Sequence, residues 1–279
     1  FLVFSAFPIA AVFVMALYSG DFLTRFEDGH LSVRATWVGL ENFQRLLFEA
    51  PVPGEWPVFW RYASNTVYLM AAIPVTMAGS LVLAMLLNRK LPGMVIFRTV
   101  FFLPSISAGV ALFLIWRWLY NPEVGLINWG LGCVGIQGPN WLSDERWAKP
   151  ALMLMGFWMA VGGYNMVLYL AALKNVDPAL YEAAGLDGAG SWQTFRHITW
   201  PQLGPTTFFI FTTNVIGGFQ VFDQAYIMTG GGPSGSTTTI LYQVYNELYV
   251  SSRLGMASAI AVVLFFMILG ITLLNWWVG

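Results

Sequence analysis

Apolar residues fall in six long runs, near Phe1–Tyr18, Thr66–Leu87, Thr99–Leu119, Ala151–Leu173, Thr206–Met228 and Met256–Val278. A bilayer core of about 30 Å takes roughly 20 apolar residues in helix, so each run predicts a membrane-spanning helix. Pro74 and Pro104 sit inside two of the runs. In water they would argue for breaks. In a membrane bundle, neighbouring helices and waters satisfy the freed carbonyls, and kinks are expected instead.

The polar stretches between the runs are unequal. Residues 19–63 form a long predicted loop with Asp21, Glu27, Asp28, Glu41, Glu49 and Glu55 set against Arg25, Arg34, Arg45 and Arg61, and with Pro51, Pro53 and Pro57. The short loop after the second run carries Arg89, Lys90 and Arg98 and no acid. Short basic loops remain on the cytoplasmic side. That choice places residues 19–63 outside and both chain ends inside. Residues 118–150 are rich in glycine and tryptophan (Trp129, Trp141, Trp147), as suits a membrane interface. Thr229-Gly230-Gly231-Gly232-Pro233 predicts a sharp turn, and a short interfacial helix is expected over 240–249.

Residues 177–201 join the fourth and fifth runs with mixed polarity and lie on the cytoplasmic side of this topology. Asp177 is placed to cap a first helix and Pro178 to occupy its first turn. Gly185, Gly188 and Gly190 break it, Ser191 is placed to cap a second helix, and Pro201 is expected to stop that one. A helix pair this small is not a domain. It is a part that docks onto something else.

Composition removes most other classes. Apolar residues are 57% and charged residues 10% of the 279, against about 25% charged in soluble domains. A net charge of −1 argues against nucleic acid as a partner. Cys133 is the single cysteine, and His30 and His197 are far apart. No metal set, nucleophile–His–Asp set or GxxxxGK[ST] phosphate loop can be assembled. The chain is therefore not expected to be an enzyme or to bind a cofactor or metal. No internal repeat is visible, which weighs against a stand-alone secondary transporter.

Polar groups concentrate in the fourth and fifth runs: Tyr164 and Asn165 beside Gly162 and Gly163, then Asn214, Gly217, Gly218, Gln220 and Asp223. An acid near the bilayer centre costs roughly 2.5–3.5 kcal/mol on insertion scales, so Asp223 is expected to face protein or water. The group either lines a polar cavity or bonds across helices. Both alternatives fit.

The 177–201 segment carries one further pattern. Glu182-Ala183-Ala184, Gly188, Ile198 and Pro201 match the E-A-A-x3-G-x9-I-x-L-P loop of ABC-importer permeases, with Asp187 before the glycine and Trp200 in the leucine position. Val38-Gly39-Leu40-Glu41-Asn42-Phe43, Asn65-Thr66, Arg98–Pro104, Asn121-Pro122 and Gly231-Gly232-Pro233 resemble the carbohydrate branch of that family, of the maltose type. Asparagines found in the fifth span of some maltose permeases fall at Gly218 and Val221 here, while Tyr164 matches a substrate-facing tyrosine.

The resemblance implies an all-α, six-helix type I ABC importer bundle over residues 1–279, in a bacterial or archaeal plasma membrane. It implies a second, homologous permease, two ATPase subunits that hold ATP and Mg, an extracytoplasmic solute-binding protein, and surrounding lipid. Glu182, Ala183, Ala184, Asp187, Gly188, Ile198 and Pro201 would contact an ATPase, with Trp192, Phe195 and Ile198 as apolar anchors. The solute would be a sugar or sugar-like molecule. A polyol or glycerol-phosphate is the alternative within the family, although the last three runs offer no basic group before Arg253. A secondary transporter and a membrane scaffold are the readings from other classes.

Overall fold

The computed structural model describes residues 4, 6–27, 30–50, 53, 55–89, 93–107 and 109–278, without the side chains of 20–34 and 278. Phe1–Val3, Ser5, Asp28, Pro51 and Lys90 of the expectations above lie outside the described residues.

The chain enters through α1 (Phe7–Met15) and a two-stranded antiparallel hairpin, β1 (Tyr18–Glu27) and β2 (His30–Trp37). The predicted loop over 19–63 is therefore structured. After the hairpin come α2 (Glu41–Phe48) and the first turns of α3 (Val58–Met70). Strand formers such as Tyr18, Phe22, Thr24, Phe26, Val33, Thr36 and Trp37 account for the hairpin, and the charges between them conceal the signal. The second span begins at Val58 rather than Thr66 because Phe59 and Ala63 are buried against Leu46, Val215 and Phe219.

α3 and α4 (Ile73–Leu87) form one 30-residue span, Val58–Leu87. Pro74 sits in the first turn of α4, after a turn at Ala71-Ala72, where its missing N–H costs little. α5 (Met94–Ile106), with Pro104 inside it, and α6 (Gly109–Leu119) make a bent pair. α7 (Leu126–Cys133) lies in the tryptophan-rich stretch. α8 (Glu145–Val161) and α9 (Tyr164–Asn175) form a 31-residue span, Glu145–Asn175. Then come α10 (Pro178–Leu186), α11 (Ser191–Thr194), α12 (Trp200–Gln202), α13 (Gly204–Phe219), α14 (Asp223–Thr229), α15 (Ile240–Tyr245) and α16 (Leu254–Val278).

Among the described residues, three helices are long and apolar enough to cross a membrane (Val58–Leu87, Glu145–Asn175, Leu254–Trp277), and the α5–α6 pair makes a fourth if counted as one span. The other two runs depart from straight spans. The first holds the nine-residue α1 among its described residues, and the fifth is interrupted between Phe219 and Asp223.

Packing follows helical periodicity. Met77, Leu81 and Ala84 of α4 meet Met166, Tyr169, Leu170 and Leu173 of α9, with Leu203 and Ile210 closing the cluster. Phe59 and Ala63 of α3, Val215 and Phe219 of α13, Ile240 of α15, and Ile260 and Leu264 of α16 form a second cluster. Polar side chains tie the ends. Asn42, 4% exposed, donates to the Ala16 and Tyr18 carbonyls at 2.8 Å each and so joins α2 to the end of α1. Arg98 donates to the Leu87 carbonyl at 2.6 Å and caps α4. These contacts give physical roles to two of the short motifs.

Candidate functional site

The 177–201 segment is built as its residues predict, with two corrections. Asp177 caps α10, accepting the Ala179 N–H at 2.9 Å, and Pro178 follows at the first position. At the other end Gly188 has φ +75. Its N–H donates to Gly185 O at 3.2 Å, and the Ala189 N–H donates to Ala184 O at 2.9 Å. This crossed pair of bonds is the Schellman closure of a helix, and its left-handed residue is most easily a glycine. The interval between Glu182-Ala183-Ala184 and Gly188 is therefore the length of one closed helix end. Ala184 is buried, whereas Glu182, Ala183, Asp187 and Gly188 are exposed.

The first correction concerns the second helix. Gly190 rather than Ser191 is its cap residue, and Gln193 Oε1 accepts the Gly190 N–H at 2.8 Å. The second concerns Pro201, which does not end that helix. A π turn over Phe195–Thr199 precedes it, with the Trp200 N–H bonded to Phe195 O, and helix resumes through α12 into α13. The proline ring normally collides with the carbonyl four residues back. The widened turn gives that ring room.

The Tyr181 hydroxyl lies 3.1 Å from Thr199 Oγ1 and links the two helices. Trp192 stacks on Phe195 at 5.6 Å, and Trp200 lies 6.3 Å beyond it. Phe195 and Ile198 are only partly exposed, and Phe195 packs on the α4–α9 core, so they are not free anchors. The most exposed apolar groups are Leu186, at 91%, and Trp192, at 68%. Leu186 was not singled out by the motif because its position there is unconstrained. Trp200 walls a cavity of about 630 Å³ with Trp192, Phe195, Pro74, Met77 and Leu81. The departure from the usual leucine is thereby absorbed into an aromatic wall where the segment rejoins the bundle.

The polar group of the fourth and fifth runs is divided by the fold. Asn165 and Asn214 come together, each amide donating to the other's oxygen at 3.4 and 3.1 Å, and Asn214 also donates to Ile210 O at 2.7 Å. Gly218 packs against the α3–α4 turn: a Cβ there would lie 2.7 Å from Met70 Cγ. Tyr164, Gly217, Gln220 and Asp223 are exposed, and a Cβ at Gly217 would meet nothing within 4 Å. Asp223 begins α14, just past the break that follows Phe219.

Beyond that break the chain makes a rigid loop. Gly231 has φ +81, and a Cβ there would come within 2.6 Å of Thr238 Oγ1. Asn65, 2% exposed, donates to Gly235 O at 2.9 Å and Thr238 O at 3.0 Å. Thr66 Oγ1 accepts the Ile240 N–H at 3.1 Å, and Arg61 donates to Ser234 O at 2.6 Å. Asn65-Thr66 thus staples the glycine loop onto α3, a pairing across about 170 residues that no local pattern announces. Next to it Phe222, Tyr226, Tyr242, Tyr245 and Tyr249 form a run of contacting rings. The Tyr245 hydroxyl donates to Tyr226 Oη at 3.4 Å, and this bond raises the Tyr245 phenol above its ordinary value.

The family described as "Binding-protein-dependent transport system inner membrane component" matches residues 76–279. The chain belongs to it. Similar proteins include the lactose transport system permease protein LacF of Rhizobium radiobacter, 36% identical over 88% of this chain and 78% of that one. The arabinooligosaccharides transport system permease protein AraP of Bacillus subtilis is 32% identical, covering 99% and 83%. The trehalose/maltose transport system permease protein MalF of Thermococcus litoralis is 30% identical, covering 100% and 89%. The fold matches a subunit in the crystal structure of a bacterial ABC transporter involved in import of the acidic polysaccharide alginate, with TM-score 0.82 and 23% identity over 99% of this chain and 89% of that one. The expected helical importer-permease bundle therefore stands, with the β1–β2 hairpin added. This permease is a transport component of an inner membrane.

The staple yields a direct expectation. Asn65→Ala in the permease removes the donor to one buried and one part-buried carbonyl and is expected to cost about 1–3 kcal/mol. Hydrogen exchange should accelerate over residues 230–239 and the thermal midpoint should fall. Unchanged exchange in that loop would show that the staple does not hold it.

Proposed function

We propose that this chain is the permease subunit of a saccharide importer, forming half of the translocation path and driven by a separate ATPase through residues 177–201. The observation that carries the proposal is the closed α10 end, which leaves Glu182, Leu186 and Trp192 exposed on one compact element joined directly to α13. An exposed apolar pair on a rigid element has the composition of an interface anchor. Glu182 supplies the charged contact at the joint.

The sugar assignment is supported by the lactose, arabinooligosaccharide and trehalose/maltose names of the relatives. Exposure of Tyr164, Gly217, Gln220 and Asp223 fits a path completed by a second, homologous permease. Asn165 and Asn214 hold its α9 and α13 sides together. ATP and Mg reside on two ATPase subunits, and an extracytoplasmic binding protein delivers solute. Both chain ends are cytoplasmic. Closure of the ATPases moves the 177–201 segments, the bundle opens outward to take solute, and hydrolysis returns it inward. Selection of the outward state must come from ligands that bind the two states unequally.

The test is ATPase stimulation and uptake in a reconstituted complex with the cognate binding protein, across lactose, maltose, an arabinooligosaccharide, glycerol and glycerol-3-phosphate. Saccharide-dependent stimulation is expected, together with loss of ATPase-subunit binding on deletion of 181–198. Uptake by the chain without an ATPase, or stimulation by glycerol-3-phosphate alone, would refute the proposal.

A further inference from the structure

The aromatic run beside the break in the fifth span has a geometry that neither the family match nor the coupling role uses. Phe222 and Tyr226 stack at 5.2 Å with planes 16° apart. Tyr226 meets Tyr245 at 5.1 Å, and Tyr245 meets Tyr249 at 5.1 Å. Tyr242 lies buried behind them, edge-on to Phe222 at 5.6 Å and to Tyr226 at 5.7 Å. The outer members are open, with Tyr226 43% and Tyr249 69% exposed.

The run is also held in place and correctly situated. The helix of α15 widens into a π turn over Asn246–Val250, a feature that collects at functional sites. The Arg253–Glu247 ion pair, 2.7 Å, closes that turn. The other end of α13 receives the 177–201 segment, so the ring run lies at the far end of a 16-residue helix from it. Gln220 and Asp223, both exposed, flank the break next to Phe222.

Aromatic rings with polar handles suit a ligand that is apolar on one face and hydroxylated at its rim. A pyranose has that character: its axial C–H bonds form an apolar face and its hydroxyls lie around the edge. Successive rings are 5.1 Å apart with their planes turned by 59° and 41°, so together they make one curved aromatic surface edged by hydroxyls. We infer that Tyr226, Tyr245 and Tyr249 form a glycan-stacking track at the solute-entry end of this permease, with the Gln220 amide donating to sugar hydroxyls and the Asp223 carboxylate accepting from them at its inner end. This assignment rests on the saccharide reading above and adds a site to it.

The track predicts a dependence on chain length. In the full complex with ATPases and binding protein, Tyr249→Ala and Tyr226→Ala should each slow uptake of an arabinooligosaccharide by about tenfold, the effect of roughly 1.4 kcal/mol. Glycerol-sized solutes, which span no more than one ring, should be unaffected. Tyr249→Trp should restore uptake because it keeps the stacking face, and saturation-transfer NMR with lactose on the complex without binding protein should lose its signal in Tyr249→Ala. Normal oligosaccharide uptake in both alanine variants would overturn the track. So would loss of the second permease on purification, which would mark the rings as a subunit contact. If no saccharide stimulates the wild-type complex while another solute does, the saccharide reading itself falls, and the track falls with it.

Discussion

Gly188→Val is expected to reduce solute-stimulated ATPase activity by about 5- to 30-fold while basal hydrolysis by the ATPase subunits persists. The residue holds φ +75 at the point where α10 closes. An L residue in the left-handed region costs roughly 1–2 kcal/mol, which converts to that range of populations. A β-branched side chain lies at the upper end. The substitution would loosen the bond from the Ala189 N–H to Ala184 O and shift Leu186 relative to Trp192. Gly185→Ala is the control, since its Cβ would meet nothing within 4 Å and its φ is not positive. Alanine there should leave coupling intact. Measuring ATPase stimulation and co-purification of the ATPase for both variants decides the matter. Equal behaviour of the two would show that the closed helix end is not what the partner reads.

Gly162→Val is expected to give the largest loss of stability, on the order of 3 kcal/mol, the upper end for overpacking a tight contact. A Cβ at Gly162 would lie 2.2 Å from the Phe101 carbonyl oxygen and 2.9 Å from its carbon. Backbone cannot rotate away as a flexible side chain can, so α5 and α8 must separate. Small residues where membrane helices meet serve this purpose, since packing rather than water drives the association. The thermal midpoint and the yield of monodisperse protein should fall together. Gly217→Ala separates stability from function: open space surrounds its Cβ, so the midpoint should stay put. If the path faces Gly217 as proposed, uptake should nonetheless drop. A Gly162→Val protein with normal midpoint and yield would rule out the close α5–α8 approach.

Much of the 177–201 segment is legible in the sequence because its rules are local. Asp177, Pro178 and Gly188 each act within a few residues of themselves, through capping, a fixed φ and a left-handed closure. Ser191 and Pro201 do not take the roles that local rules assign them. Local rules give a proline as a stop, whereas a π turn one step earlier accommodates it. The role of Trp200 depended on Pro74 and Met77 in α4, more than a hundred residues away in sequence. Among the path candidates, the chain showed which residues were polar but not which way they faced. Asn165 turned toward Asn214, while Tyr164 of the same helix remained open.

By itself, then, the sequence determined the solvent and the elements. Six apolar runs demanded a bilayer, and the spacing from Glu182 to Pro201 specified a family. Hydrophobicity and capping are properties of a residue and its near neighbours, so they can be read in order along a chain. Tertiary structure alone decided where the spans break, that residues 19–63 hold a hairpin, that Asn65 staples a loop across about 170 residues, and that five aromatic rings meet beside Asp223. Those outcomes depend on which distant carbonyl needs a donor and which face finds a neighbour, and both are set only when the helices pack.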